Sequence, residues 1–420
     1  MVDVRPFRGL VYNPEIFPDL SPVIAPPYDV ISAETARRFQ KANEFNISAL
    51  TLPTWPPSRK RGRSYTRAAE SWDEWQKRNI VVRNKGAAIW RIHEIFGSSR
   101  RKVTRVGFVA VLRLEDYSPQ GVRRHENIHP EAREDRLRFL EKTGLNPGPI
   151  LFVYPDSPED TASLESSFNP DSQTRAVGPD DENVTIHVSF TTNAHWIERF
   201  QAYLKPRPVL IADGHHRYAA CLALRRRNPL DPSIDSGWVM GLFLPASSPG
   251  LAILPVHRAV RQVDDFDPVS FENRLRQFFD PAPSGEDDPS LPTLSLVYGT
   301  RDPVTFRIRR EILHRLEGEI EPLSAVPLSP ILVDRIILEK VLKLPSSGIA
   351  RQKIISYFHD REACVKAVAR GEFQMAILVN PVSMEDLLSV TDRGGVLPQK
   401  STYFYPKCPD GIVMHSLRSQ

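Results

Sequence analysis

The stretch Pro208–Tyr218, PVLIADGHHRY, restricts the fold more than any other part of this chain. Val209–Ala212 reads as a short buried strand, Asp213-Gly214 breaks it, and His215–Arg227 has helical spacing up to Asn228-Pro229. Asp213, His215, His216 and Arg217 therefore fall on a strand-to-helix junction. The first amides of a helix have no partner within it, and the helix dipole favours negative charge there. Gly214 lets the backbone approach a ligand, and Arg217 adds a planar cationic fork suited to phosphate. Asp213 has two readings, a cap for the helix or a ligand for a metal ion that accompanies the phosphate. A purely structural turn is also compatible, since Asp caps helices without a ligand and adjacent helical histidines point about 100° apart. Four ionisable side chains directly after an apolar strand nevertheless favour a phosphate-handling turn.

At 420 residues the chain exceeds one typical domain, and 41% hydrophobic with 25% charged residues is ordinary globular composition. A net charge of +4 selects neither nucleic acid nor a membrane as a partner. The 38 prolines gather in connectors such as 53–57, 281–292 and 322–330, which implies stiff turns. Cys221, Cys364 and Cys408 lack metal-like spacing, and an odd count fits reduced thiols. MVDVRPFRGLVYNP holds no apolar signal core, and no run reaches membrane-spanning length. The expectation is a soluble, cytoplasmic protein.

In chain order, Leu10–Tyr12 and Val23–Ala25 read as short strands, and Tyr28-Asp29 follows a double proline. Ser32 is placed to cap a helix through Arg38. SRKRGR at 58–63 reads as a solvated basic loop, and Tyr65–Arg78 as an amphipathic helix with core tryptophans. Ala87–Glu94 and Arg105–Leu114 form an expected antiparallel pair around a turn at Gly97–Lys102. In GVRRHENIHPEAREDRL, 121–137, Arg124, His125, Glu126 and Arg136 suit either a polyphosphate with an acid or base, or a surface salt-bridge network. Asp135-Arg136 opens an apolar helix in this reading.

Further on, Pro149–Tyr154, Val184–Phe190 and Trp238–Leu244 read as strands, 155–182 as an acidic loop excursion, and Trp196–Leu204 as a helix. LAILPVHRAV, 251–260, reads as a strand ending on Pro255 with His257-Arg258 beyond it. The text at 264–290 turns acidic and rich in Pro and Ser, which suggests a linker between a main lobe, 1–263, and a smaller C-terminal lobe, 291–420. In that lobe Leu294–Tyr298, Thr305–Ile308, Ile354–Phe358 and Met375–Val379 read as strands and Leu332–Leu342 as a helix. The aromatic tail QKSTYFYPK, 399–407, is expected to dock back onto the body.

Several chemistries fail on the residues. There is no GxxxxGK[ST] loop, no kinase-type glycine loop and no GxSxG elbow. HENIH, His125–His129, satisfies HExxH literally, but Pro130 follows and the flanks lack helical periodicity, so the two histidines do not share a helical face for zinc.

RPFRGLVYNP, IAPPYDVIS, the HE…EDRL block, LIADGHHRY, ILPVHR and PQKSTYFYPK, in this order, resemble the signature boxes of domain-of-unknown-function family one-thousand-and-fifteen. The DGHHR box is similar to one of the ParB/sulfiredoxin superfamily, whose relatives with DGHHR include free-serine kinases that make O-phosphoserine from ADP or ATP with magnesium. The resemblance implies an α/β (α+β) fold with a ParB/sulfiredoxin-like core and phosphate contacts from Asp213, Gly214, His215, His216 and Arg217. The expected activity is phosphoryl transfer from ATP or ADP to a small hydroxylated metabolite. In that reading His215 or His216 stabilises charge, Asp213 helps place Mg2+, and Asp29 or Glu126 deprotonates the acceptor. Arg124, His125, Arg136 and His257 would line the same cleft. The alternative is a nucleotide-binding regulatory switch of ParB-like type.

Overall fold

The computed structural model describes the chain apart from residues 53–60, 99–100, 180–182, 228–234, 262, 264–265, 283–291, 299–301, 320–327, 346–352 and 419–420. The basic run at 58–60, the turn tip at 99–100, the Asn228-Pro229 stop and parts of the proline connectors lie outside the described residues. The chain divides into two units, the first comprising Met1–Arg124, Ile128–Ala252 and Pro406–Gln420, the second His125–Asn127 and Ile253–Tyr405. The division thus falls at Ala252/Ile253 and not within 264–290, which instead contributes the helix Pro268–Leu275 and the strand Phe279–Pro281 to the second unit.

The first unit is built on a nine-stranded sheet. Its strands are β1 (Val4–Arg5), β2 (Ile89–Ser98), β3 (Arg101–Arg113), β4 (Val122–Arg124), β5 (Ile150–Tyr154), β6 (Ser172–Val177), β7 (Thr185–Thr191), β8 (Val209–Asp213) and β9 (Trp238–Pro245). The order is β4-β8-β5-β9-β3-β2-β7-β6, with β1 paired to β3. β8 runs parallel to β4, and β9 parallel to β5, while the other pairings are antiparallel. The expected β2–β3 pair is present, with Trp90 opposite Val109. β8 and β5 are buried throughout their apolar run, as strands inside a sheet covered by helices must be.

Two helices set the site, α1 (Pro130–Thr143) and α2 (His215–Arg227). α1 starts with Pro130 at its first turn and stops at Gly144, whose φ of 62° suits a residue without Cβ. Asp135-Arg136 therefore sits inside this helix and does not open it. α2 buries Tyr218, Cys221 and Leu222 at helical spacing, and its basic last turn, Arg225–Arg227, complements the helix dipole. Both pack with Phe108, Phe152, Ile211 and Phe200 into one core. HENIH precedes α1 in non-helical backbone, as Pro130 implied.

Other departures are local. Ser32 caps its helix, but the helix continues to Ala42. Val23–Ala25 is no strand; Ala25 makes only a bridge, to Asp410. The excursion at 155–182 contains a helix, Pro158–Ser166, capped by Ser157, and then β6. Pro255 divides 251–260 into two strands, Ala252–Leu254 and His257–Val260. The aromatic tail also divides: Tyr403–Tyr405 is a strand of the second unit, and Pro406–Gln420 belongs to the first.

The second unit holds a six-stranded antiparallel sheet in the order Phe279–Pro281, Val304–Ile308, Thr293–Tyr298, Met375–Val379, His257–Val260, Ile355–Phe358. Leu332–Leu342, expected as a helix, is one, wound mainly as a π-helix over Val333–Val341, with its apolar side in a core with Phe271 and Leu296.

Candidate functional site

The turn after β8 is built as the residue types require. The pairing of β8 with β5 shifts register between Ile211 and Asp213, an irregularity that re-aims the last strand residue. Gly214 follows with φ 94°, and α2 begins at His215 with no acidic residue in its first turn. A Cβ at Gly214 would stand 3.1 Å from Nε and Nη2 of Arg217 and 3.2 Å from Ile150 Cγ1. Gly214→Ala is accordingly expected to lose about 1–2 kcal/mol of stability through the left-handed backbone alone, measurable by urea denaturation.

Around this turn lies a cluster of charged groups. Asp213 Oδ2 accepts from Arg217 Nη2 at 3.0 Å, and Asp213 Oδ1 accepts from Lys407 Nζ at 2.5 Å. Arg217 Nη1 donates to the carbonyls of Gly148 (3.3 Å) and Pro149 (3.0 Å) and lies 3.9 Å from Asp410 Oδ1. Burial would lower the Arg217 pKa, but Asp213, Asp410, Asp29 and Tyr28 together raise it. Both terminal nitrogens of the expected phosphate fork are thus engaged within the protein. Asp213 likewise gives each oxygen to a cationic side chain, so a magnesium ion on it would share the carboxylate with Lys407 and Arg217. Among the described residues no three His, Cys, Asp or Glu side chains form a group that could hold a metal ion.

Arg136 is buried on α1. Its Nη2 donates to Asp135 Oδ2 (2.7 Å) and to the Tyr65 hydroxyl (3.0 Å), and its guanidinium stands 3.8 Å over the Tyr28 ring. Burial, with Asp29 assisting, raises the Tyr28 pKa and keeps that phenol neutral. Asp29 is exposed, and among the described residues it makes no hydrogen bond or ion pair. His216 Nε2 accepts the backbone N–H of His129 at 3.2 Å, which puts the proton of a neutral imidazole on Nδ1. The His129 and His216 rings stack at 6.1 Å. His215 is buried, and Arg124 lies 5.1 Å from the Tyr117 ring.

The remaining expected residues belong to the second unit. His125 Nε2 bonds Thr402 Oγ1 at 2.8 Å, and Glu126 Oε1 accepts the N–H of Ser401 at 3.2 Å. These bonds secure the aromatic tail there. His257 is buried in the sheet, where Nδ1 accepts the N–H of Val379 at 3.2 Å; burial, with Arg361 and Arg258, lowers its pKa to about 4. It behaves as a neutral core histidine. The sequence reading missed Asp410, Tyr65 and Asp135, and it gave Lys407 no partner. The one available signal was a charged pair, Lys407 and Asp410, abutting the apolar run Ile412–Met414.

Among curated proteins no relative matches. Solved structures to which the chain is similar include a conserved hypothetical protein from Pyrococcus furiosus, 13% identical at TM-score 0.37, covering 73% of this chain and 97% of that one. A free serine kinase in complex with AMP is 14% identical at TM-score 0.40, with 73% and 93% covered. SbnI with a C-terminal truncation, from Staphylococcus aureus, is 11% identical at TM-score 0.38, with 72% and 85% covered. The family described as "Protein of unknown function (DUF1015)" matches residues 4–346, and the chain belongs to it.

Proposed function

We propose that the first unit is a nucleotide-binding core of the ParB/sulfiredoxin kind and that the protein is a phosphotransferase. It moves a phosphoryl group from ATP or ADP to a small hydroxylated metabolite, with free serine the first acceptor to test. The observation that carries this reading is convergence. Tyr28-Asp29, Asp135-Arg136, Asp213–Arg217 and Lys407–Asp410, far apart in sequence, contribute to one charged cluster at the turn after β8. Burying so many charges costs folding free energy even when they are paired, which favours a functional reason for their presence. The cluster adjoins the N-terminus of α2, where backbone N–H groups suit an oxyanion. The resemblance of the DGHHR box supports the same class.

In this reading the Gly214–His216 backbone receives the phosphates and His216 donates from Nδ1 to a phosphoryl oxygen. Asp29, exposed and unpaired among the described residues, takes the acceptor hydroxyl's proton. That oxygen attacks the terminal phosphorus, and the nucleotide leaves with the electrons of the broken P–O bond. Arg217 and Arg136 organise the cluster from within.

Protein incubated with ATP or ADP, magnesium and a panel of hydroxy amino acids is expected to give a phosphorylated amino acid, detected by mass spectrometry. His216→Ala should lower kcat/KM by about 10²–10³, and Asp29→Asn by about 10²–10⁴. Nucleotide binding without product would point instead to a nucleotide-dependent switch, and absence of binding would remove the reading.

A further inference from the structure

Asp410 takes no part in the reaction as written, yet it is among the most enclosed charged groups of the first unit, at 2% exposure. Its backbone is fixed by N–H and C=O bonds to Ala25. Among the described residues its Oδ1 makes no hydrogen bond, and it lies 3.9 Å from Arg217 Nη1, too far for one. The carboxylate occupies space that only a glycine at 148 leaves open, since a Cβ there would stand 2.0 Å from Oδ1.

The charged and titratable groups that face Asp410 come from every side. Arg217 and Asp213 come from α2 and β8, Asp29 from the N-terminal segment, and Arg136 from α1. Cys408 lies on Asp410's own segment, and burial raises its thiol pKa so that it stays neutral. Arg136 is matched by Asp135. Asp29, Asp213 and Asp410 then stand against Arg217 and Lys407, so an incoming anion meets an excess of negative charge. A proton relieves that excess most effectively on the least solvated carboxylate. Asp410 is that group: Asp29 is exposed and the Asp213 side chain is 16% exposed. Burial, against the opposing pull of Arg217, raises the Asp410 pKa to about 7.

We propose that Asp410 is a positioning residue for anion binding at the Gly214–His216 turn, taking up a proton from solvent when a phosphate-bearing ligand binds and acting on that ligand through Arg217. The proposal rests on the phosphate reading above and adds a coupled proton to it. Asp410 lies beyond the family-matched span, which ends at 346.

Titration calorimetry of the full chain with ATP, in buffers of different ionisation enthalpy, tests it. Near pH 8 the unaltered protein is expected to take up close to one proton per ATP bound, with uptake fading below pH 6 and a midpoint near 7. Affinity should fall by about tenfold per pH unit above the midpoint. Asp410→Asn should bind ATP with no such uptake and a flatter pH profile. ATP binding without proton uptake near pH 8, or the same uptake in Asp410→Asn, would overturn the proposal alone. Failure of ATP to bind would overturn the phosphate reading and this proposal with it. Should the variant not fold, the uptake profile of the unaltered protein still decides.

Discussion

Arg217→Met is expected to lower the stability of the protein by about 3–5 kcal/mol at neutral pH, the usual loss when one partner of a buried ion pair is removed. The Arg217 side chain is 12% exposed and holds Asp213 at 3.0 Å, so its removal takes one of the two cations bonded to that carboxylate here, the other being Lys407. It also removes the donor to the carbonyls of Gly148 and Pro149 and the charge that lowers the Asp410 pKa. Methionine fills part of the volume, so the loss reports the charge more than a cavity. The pH dependence has a definite sign. Asp410 titrates near 7 when folded, above its ordinary 3.8, so its contribution is fully present at low pH and is lost as pH rises from about 4 through 7. Without Arg217 the folded value moves higher still. The variant's deficit should therefore be smallest near pH 5, where Asp410 is protonated in both proteins, and largest above pH 7. Denaturant titrations at the two pH values check this; an equal deficit at both would detach Asp410 from Arg217.

Those charges show where the sequence was readable. The strand and helix of PVLIADGHHRY were legible because an apolar run, a turn-forming Asp-Gly and helical spacing agree locally, and the structure has β8, Gly214 at φ 94° and α2 in that order. The β2–β3 pair was legible because Val106, Phe108, Ala110 and Leu112 alternate with other residues at strand period. What eluded the sequence was whatever depends on distant pairing. Arg217 looked like a phosphate fork because its charge is local information, whereas the carbonyls of Gly148 and Pro149 that occupy it are not. His125, Glu126 and His257 resembled the residues of DGHHR in type, but their bonds lie in the second unit. The Pro- and Ser-rich text at 264–290 drew a boundary by composition, though helix Pro268–Leu275 had a signal there: Asp267 as its cap and Pro268 in its first turn. Nothing in the text of 406–420 says that it returns to a unit begun some four hundred residues earlier.

That return carries the other large expectation. Deleting Pro406–Gln420 should leave the first unit without a cooperative thermal transition, even though the family match ends at residue 346. Ile412, Val413, Met414 and Leu417 are each at most 1% exposed, and full burial contributes about 1.5–3 kcal/mol for each such side chain. Four of them together are comparable to the roughly 5–15 kcal/mol by which whole domains are stable. The backbone loss adds to this: Met414 exchanges hydrogen bonds with Leu10, Asp410 with Ala25, and His415–Ser416 pairs with Leu145–Asn146. The Pro406 carbonyl accepts from Arg105 Nη2 at 2.7 Å, so the buried Arg105–Glu94 pair loses a partner as well. Lys407 and Asp410 leave with the same segment, so folding and the candidate site should fail together. Met414→Ala supplies the graded version, with an expected loss of about 2–5 kcal/mol in chemical denaturation. A truncated chain that melts at the temperature of the full one would show that the segment only rests on the unit, and the burial argument would fail with it.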